Sequence, residues 1–343
     1  MWHSEIRAVR IVVSIAISGL LIPVWATGEK PNHRKSRAAY ERGVRADRAG
    51  NRKAAIEAYS EAILADDTDA AAWRARGEDY LASGDRAKAA GDLEEAVKLQ
   101  PGDAESYAAR AKFFLSTGQI DRAIQDDSTA INLHLDRYDI RSARGFAYLA
   151  SGQYAKAVED FSQAIRLRGD RPEPYFGRGK ARAALRRYRD AIDDFNRCLS
   201  RKPDDEEALV ERALAYAGTG DYTHSRQDLD SALKLQPKDV RARRVRGSVN
   251  ELLGDEAGAV SDYSQAIALN PKDMRVYLAR AAVYVRLKKY REALEDREAA
   301  VQLDPKNPEV YVARSASYHL LGEHEKGLED SRWYDAQIGR AHV

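Results

Sequence analysis

Cysteine is almost missing from this chain: Cys198 is the single one in 343 residues. No intramolecular disulfide can form, so packing and polar pairing must hold the fold. Prolines number ten and glycines twenty-two, so helix breakers punctuate the chain without pervading it. The one long apolar run, Ile11 to Val24, is shorter than the ~20 residues a bilayer-spanning helix needs. Net charge is nearly absent too. Arg7 and Arg10 against Glu5, together with Arg340, account for the whole excess of +2, which leaves residues 27–337 neutral. A neutral body gives no general reason to bind nucleic acid or an anionic membrane. There is no phosphate-cradling G-x-x-x-x-G-K-[ST] and no G-x-S-x-G elbow. Of seven histidines only His319 and His324 are near each other, and a spacing of five does not match a zinc helix. Carboxylates are many but scattered along solvated faces. No catalytic residue, cofactor or metal is therefore expected, and Arg168-Gly169-Asp170 is read as a coincidental adhesion tripeptide in a loop.

What is present is a period. The small residue that follows an arginine recurs at Gly43, Gly77, Ala111, Gly145, Gly179, Ala213, Gly247, Ala281 and Ser315, in uninterrupted steps of 34. Nine repeats follow, at 36–69, 70–103, 104–137, 138–171, 172–205, 206–239, 240–273, 274–307 and from 308 on. Twelve residues later comes a second small residue (Ala55, Ala89, Ala123, Ala157, Ala191, Ser225, Ala259, Ala293, Gly327), and seven further on a third, which Cys198 replaces in repeat five. That place makes a buried thiol the natural reading of Cys198. Aromatics at Tyr80, Phe114, Tyr148, Tyr216, Tyr284 and Tyr318 share one helical face with the first small residue. Repeat five has Arg182 and Arg186 where the aromatic and a turn glycine are usual, and repeat seven has Asn250 for the aromatic, so those two are expected to pack less tightly. Glycines such as Gly84 and Gly220 end the first helix in a left-handed turn, prolines such as Pro203 end the second, and Asp69, Asp103, Asp205, Asp239, Asp273 and Asn307 stand where the next helix needs an N-cap.

This helix–turn–helix unit resembles the tetratricopeptide repeat family over residues 36 to about 330. The resemblance implies an all-α, right-handed superhelical solenoid. A second regularity marks a subtype. The residue before the first small one is always arginine, including Arg144 and Arg178, and sixteen residues on eight repeats carry aspartate, including Asp160 and Asp194. Unpaired charges beside a packing face are costly, so structural ion pairs are expected. Asp160 could meet Arg144 of its own repeat or Arg178 of the next.

The resemblance also implies function: a scaffold for proteins or peptides, whose first helices line a concave groove. Carried across, the groove positions are Phe146, Leu149, Phe176, Val210 and Leu214 as an apolar floor, flanked by Glu105, Asp139, Glu173 and Glu207, with a basic end at Arg241, Arg244, Arg275 and Arg286. A protein or peptide partner with apolar anchors and an acidic segment would suit it. The Lys/Asn/Arg clamp that some family members use on a chaperone's carboxylate tail is missing at the matching positions. The alternative is a regulatory or substrate-docking arm of a longer enzyme.

The two ends are read apart from the array. Residues 338–343 are the translation of a common sequencing-adapter stretch and are expected not to be native, with repeat nine degenerate up to residue 337. At the other end, basic Arg7 and Arg10, the apolar run and Val24-Trp25-Ala26 form the order of a secretory signal over residues 1–26, followed by a flexible linker at 27–35. The expected location is periplasmic or secreted; the alternative is an anchor left uncleaved. Export should cut between Ala26 and Thr27. Intact mass of the exported protein checks this, and a chain still beginning at Met1 would contradict it.

Overall fold

The computed structural model describes residues 31–341, together with a short antiparallel ribbon that pairs Ile15–Ile17 with Leu20–Ile22. The remainder of the expected leader and the first residues of the expected linker lie outside the described residues. The array divides into two compact units, residues 1–151 and 152–343. The first holds helices α1 (His33–Arg48), α2 (Arg52–Ala65), α3 (Ala70–Ala82), α4 (Arg86–Leu99), α5 (Ala104–Ser116), α6 (Ile120–Asn132) and α7 (Tyr138–Ala150). The second holds α8 (Tyr154–Leu167), α9 (Glu173–Ala184), α10 (Tyr188–Leu199), α11 (Glu206–Thr219), α12 (Tyr222–Leu235), α13 (Val240–Leu252), α14 (Glu256–Leu269), α15 (Met274–Arg286), α16 (Tyr290–Leu303), α17 (Pro308–Leu320) and α18 (His324–Ala341). Odd-numbered helices are the first of each repeat. The unit boundary falls inside repeat four. Helix α1 starts within the stretch expected to be a flexible linker, because the Asn32 side chain accepts from the Lys35 amide and caps it.

Within each unit the result is an all-α helical repeat solenoid. The expected N-caps form: Asp69 accepts from Ala72 N, Asp205 from Ala208 N, and Asn307 from Glu309 N. The second small residue is fully buried at Ala55, Ala89, Ala191 and Ala259. The first small residue is matched to a side chain that the sequence period did not single out, sixteen residues on. Glycine there faces Tyr59, Leu93, Phe195 or Tyr263, and a Cβ placed on Gly179 would lie 2.7 Å from the Phe195 ring. Where the small residue is Ala213, the facing residue is Leu229, which carries no ring. Ring volume on one helix is thus matched by a missing methyl on the other, which keeps the packing dense. Cys198 is 1% exposed, and burial pushes its thiol up to about 11.

The arginine row is structural, and its pairing is within the repeat. Arg76 reaches Asp92 through Nε and Nη2 at 2.7 and 2.9 Å, and Arg178 reaches Asp194 the same way at 2.9 and 2.7 Å. Arg110–Asp126, Arg212–Asp228, Arg246–Asp262, Arg280–Asp296 and Arg314–Asp330 repeat this fork. Arg178 therefore uses its fork on Asp194 and not on Asp160; Arg144 and Asp160 belong to different units. The third nitrogen, Nη1, reaches back to the preceding repeat: Arg76 to Ser60, Arg144 to Ser128, Arg178 to Ser162, Arg212 to Asn196, Arg246 to Asp230 and Arg280 to Ser264, at 2.7–3.1 Å. The recurrent aromatic covers the guanidinium, with Arg212 5.9 Å from the Tyr216 ring centre and Arg280 5.7 Å from that of Tyr284. In repeat one, Ala58 stands in the aspartate's place and Arg42 turns to Glu61 instead.

In the two irregular repeats, expected to pack less tightly, polar contacts take the aromatic's place. Arg182, in the aromatic's place, donates to Asp194 at 2.6 Å, and Asn250 donates to Asp262 at 3.1 Å. Polar side chains there donate to the same carboxylate that the repeat's arginine holds. Asp194, 1% exposed, serves two guanidinium groups. Asp194→Ala should therefore destabilise the second unit by about 3–5 kcal/mol, the usual result of stranding a buried partner. Arg178→Leu with Asp194→Leu should recover part of that loss. A urea double-mutant cycle without coupling between Arg178 and Asp194 would contradict the pairing.

Candidate partner-binding faces

Helix side chains that do not pack inward recur every three or four residues on the first helix of each repeat. These helices touch one another directly, α3 to α5 to α7 in the first unit and α9 to α11 to α13 to α15 in the second. Each unit therefore presents a face built from first helices alone, and each face is described within its own unit.

In the first unit, Phe146 is 36% exposed and Leu149 half-buried on α7. The flanking carboxylates of Glu105 and Asp139 both receive Arg137, at 2.5 and 3.0 Å. Near the start of the unit an aspartate occupies a core position. Asp79 is 5% exposed on α3, where the corresponding residues of later repeats include Phe113, Ala147 and Val249. Its Oδ1 lies 3.6 Å from Arg52 Nε, while its Oδ2 is buried without a hydrogen-bond partner. Burial, and then the nearby charge of Asp47, push its carboxyl up to about 6.

In the second unit, Phe176 is half-buried and tilts against Phe195 with ring centres 6.1 Å apart, and Leu214 is half-buried beside it in the same core cluster. Glu173 and Glu207, expected to flank the floor, are both exposed. Val210 was expected on the floor but is 1% exposed: it sits in that cluster with Ala242 and Val249 of the neighbouring α13, which cover it. The basic end is also partly neutralised. Arg241 meets Glu211 at 2.8 Å, and Arg286 meets Glu251 at 2.6 Å and Glu256 at 3.3 Å. Lys180 bridges to Glu207 and Glu211. Arg244 and Arg275 make no ion pair among the described residues. Arg243 turns towards the helix-packing side, with Nη1 3.9 Å from Asp262.

Other sequence features find local partners. His319 and His324 meet at the α17–α18 turn, Nδ1 to Nδ1 3.0 Å, and among the described residues no three metal-ligating side chains gather. Arg168 and Asp170 pair with each other at 3.2 Å. A 320 Å³ hollow bounded by Tyr107, Phe114, Arg122 and Thr129 has the Arg110–Asp126 fork in its wall, so its polar lining belongs to the structural row.

The buried Asp79 gives the first unit a pH signature. A carboxyl near 3.9 when unfolded and about 6 when folded contributes stability that is complete below ~3.9 and lost as pH rises through ~6. Asp79→Asn should remove this term, so that the variant gains about 1–2 kcal/mol on wild type between pH 4 and pH 7.5, after discounting for solvent screening. Equilibrium unfolding at both pH values checks it; a constant difference between the two proteins would contradict it.

Known proteins place this geometry. Models described as TPR repeat match residues 145–185, and models described as tetratricopeptide repeat match 70–103, 172–205, 210–274 and 253–308. No curated protein sequence matches the chain. Among solved structures, a tetratricopeptide repeat protein from Parabacteroides merdae is similar at 16% identity with a TM-score of 0.51, covering 73% of this chain and 99% of that one. The C-terminal part of a TPR repeat-containing protein from Cytophaga hutchinsonii aligns at 18% identity and a TM-score of 0.55, covering 70% and 98%. The APC/C hetero-tetramer Cut9–Hcn1 aligns at 15% identity and a TM-score of 0.55, covering 84% of this chain and 60% of that one. At such identities the structures speak for the fold alone. With those models matched along more than half its length, and its helices in that family's arrangement, the chain belongs to the tetratricopeptide repeat family.

Proposed function

We propose that the chain is a scaffold that binds a protein or peptide on its first-helix faces, in the periplasm or outside the cell. One observation carries this: within each unit successive first helices contact each other, and on the second unit they leave cations on their outer stripe without an ion pair among the described residues, Arg244 and Arg275. A helical array whose core is complete without those residues has them available for a partner. Cut9 of the same fold is seen assembled with Hcn1, in keeping with that reading. The location rests on the charge–apolar–small order of residues 1–26.

On the second unit the partner segment we propose is acidic. Arg244 and Arg275 are its contacts, since Arg241 and Arg286 are already held by glutamates. Phe176 and Leu214 offer the half-buried apolar surface next to them. Attraction to two arginines weakens as salt shortens the screening length to ~8 Å near physiological strength. Pull-downs from the native secretome should show at least one partner lost with Arg244→Glu/Arg275→Glu and released from wild type by salt. The same partners with the same salt dependence in both would defeat the acidic-segment reading.

A further inference from the structure

Two turns of the second unit depart from the repeat in the same way. Leu185-Arg186-Arg187-Tyr188-Arg189-Asp190 joins α9 to α10, and Leu287-Lys288-Lys289-Tyr290-Arg291-Glu292 joins α15 to α16, in identical register three repeats apart. The other turns between paired helices carry a glycine with φ between +73° and +85°, from Gly50 to Gly322. Arg186 and Lys288 hold the same left-handed conformation at φ 59°, which a side chain rarely adopts. The next residue in most other turns is an Asp or Asn whose side chain caps the following helix, as Asp221 and Asp255 do. Here it is Arg187 or Lys289, and neither makes a side-chain cap. Each turn thus gives up two stabilising features and gains two cations.

Those cations are open. Arg186, Arg187, Arg189, Lys288, Lys289 and Arg291 are all exposed, and only Arg187 has an ion-pair partner among the described residues, Asp190 at 2.6 Å. Each turn sets three cations against one carboxylate. Tyr188 fixes its turn from beneath, its ring packed so closely on Gly218 of α11 that a Cβ there would come within 2.8 Å. The turns between the two carry carboxylates in place of these cations: Asp221, beside His224, in one, and Asp255 and Glu256, which meet Arg226 and Arg286, in the next. The basic surface is therefore two separate points. A uniformly anionic membrane or nucleic-acid duplex would meet carboxylates, and no cluster of cations, at the turns between.

We propose that these two turns are the docking points for a protein partner that carries two acidic clusters with a spacer between them. The inference rests on the scaffold reading but uses a different edge of the second unit from the first-helix face. Its probes are a hexaglutamate peptide and a peptide with two hexaglutamate blocks on a flexible Gly-Ser linker, followed by fluorescence anisotropy. The two-block peptide should bind wild type about 100-fold tighter than the single block, because the second contact is intramolecular. Arg186→Gly and Lys288→Gly restore the repeat's own turn residue, so each should remove most of that gain without lowering Tm. Arg189→Gln/Arg291→Gln should act in the same direction. Loss of the gain in Arg244→Glu/Arg275→Glu alone, with the turn variants keeping it, would move the site to the first-helix face and overturn the proposal while leaving the scaffold reading standing. Equal binding of both peptides, wild-type binding by the glycine variants, or displacement of the peptide by phosphatidylserine vesicles would each overturn it.

Discussion

A guanidinium group is planar and carries five N–H donors in a fixed fork, so one arginine can hold two partners in two directions. In this array that geometry joins three helices at once. Nε and Nη2 of Arg246 close on Asp262 within the repeat, and Nη1 reaches Asp230 in the repeat before. The first contact sets how the two helices of a repeat cross; the second sets how that repeat sits on its predecessor. A lysine is a point charge without this planar fork, so it could not hold Asp262 by two parallel bonds while also reaching Asp230. Burial still works against the pair: at Asp92 it outweighs Arg76 and holds the carboxyl above its ordinary range. The row's value therefore lies less in net stability than in permitting one register and penalising others, because any slip strands a charge.

Around that fork the rest of the packing follows. The residue next to each arginine must be small because the facing helix comes close, and its size is traded against the ring opposite, as with Gly179 and Phe195. The aromatic four residues after the arginine sets its ring against the guanidinium, 5.7–5.9 Å away at Arg212, Arg280 and Arg314. Where it is replaced, in repeats five and seven, Arg182 and Asn250 donate to the same aspartate. Arg182 Nε and Asn250 Oδ1 stay buried without a partner, so the substitution is a workable repair and not an equivalent.

Much of this was legible in the sequence because it recurs as a letter: the steps of 34, the small residues, the turn glycines and the capping aspartates. What was not legible recurs only as chemistry. The acceptor for Nη1 is Ser60, Asn196 or Asp230 in different repeats, so no single residue type marks it. The fork's own partner was ambiguous because Asp160 stands sixteen residues after one arginine and eighteen before the next, and spacing alone does not choose. The site suffered more. Val210 has an apolar side chain at a groove position, yet α13 buries it, and Arg241 and Arg286 are matched by glutamates on neighbouring helices some thirty residues away. Charges cancelled across repeats look uncancelled when read along a single helix.

The central claim is that one side chain couples neighbouring repeats as well as the two helices of its own. Arg246→Lys tests it most directly, because the charge stays and the fork goes. Denaturant unfolding with hydrogen exchange resolved by repeat is the measurement. The account predicts that repeats six and seven lose their common exchange behaviour and that the m-value of the second unit's transition falls as cooperativity breaks. A single transition with unchanged m and uniform protection across those repeats would contradict it.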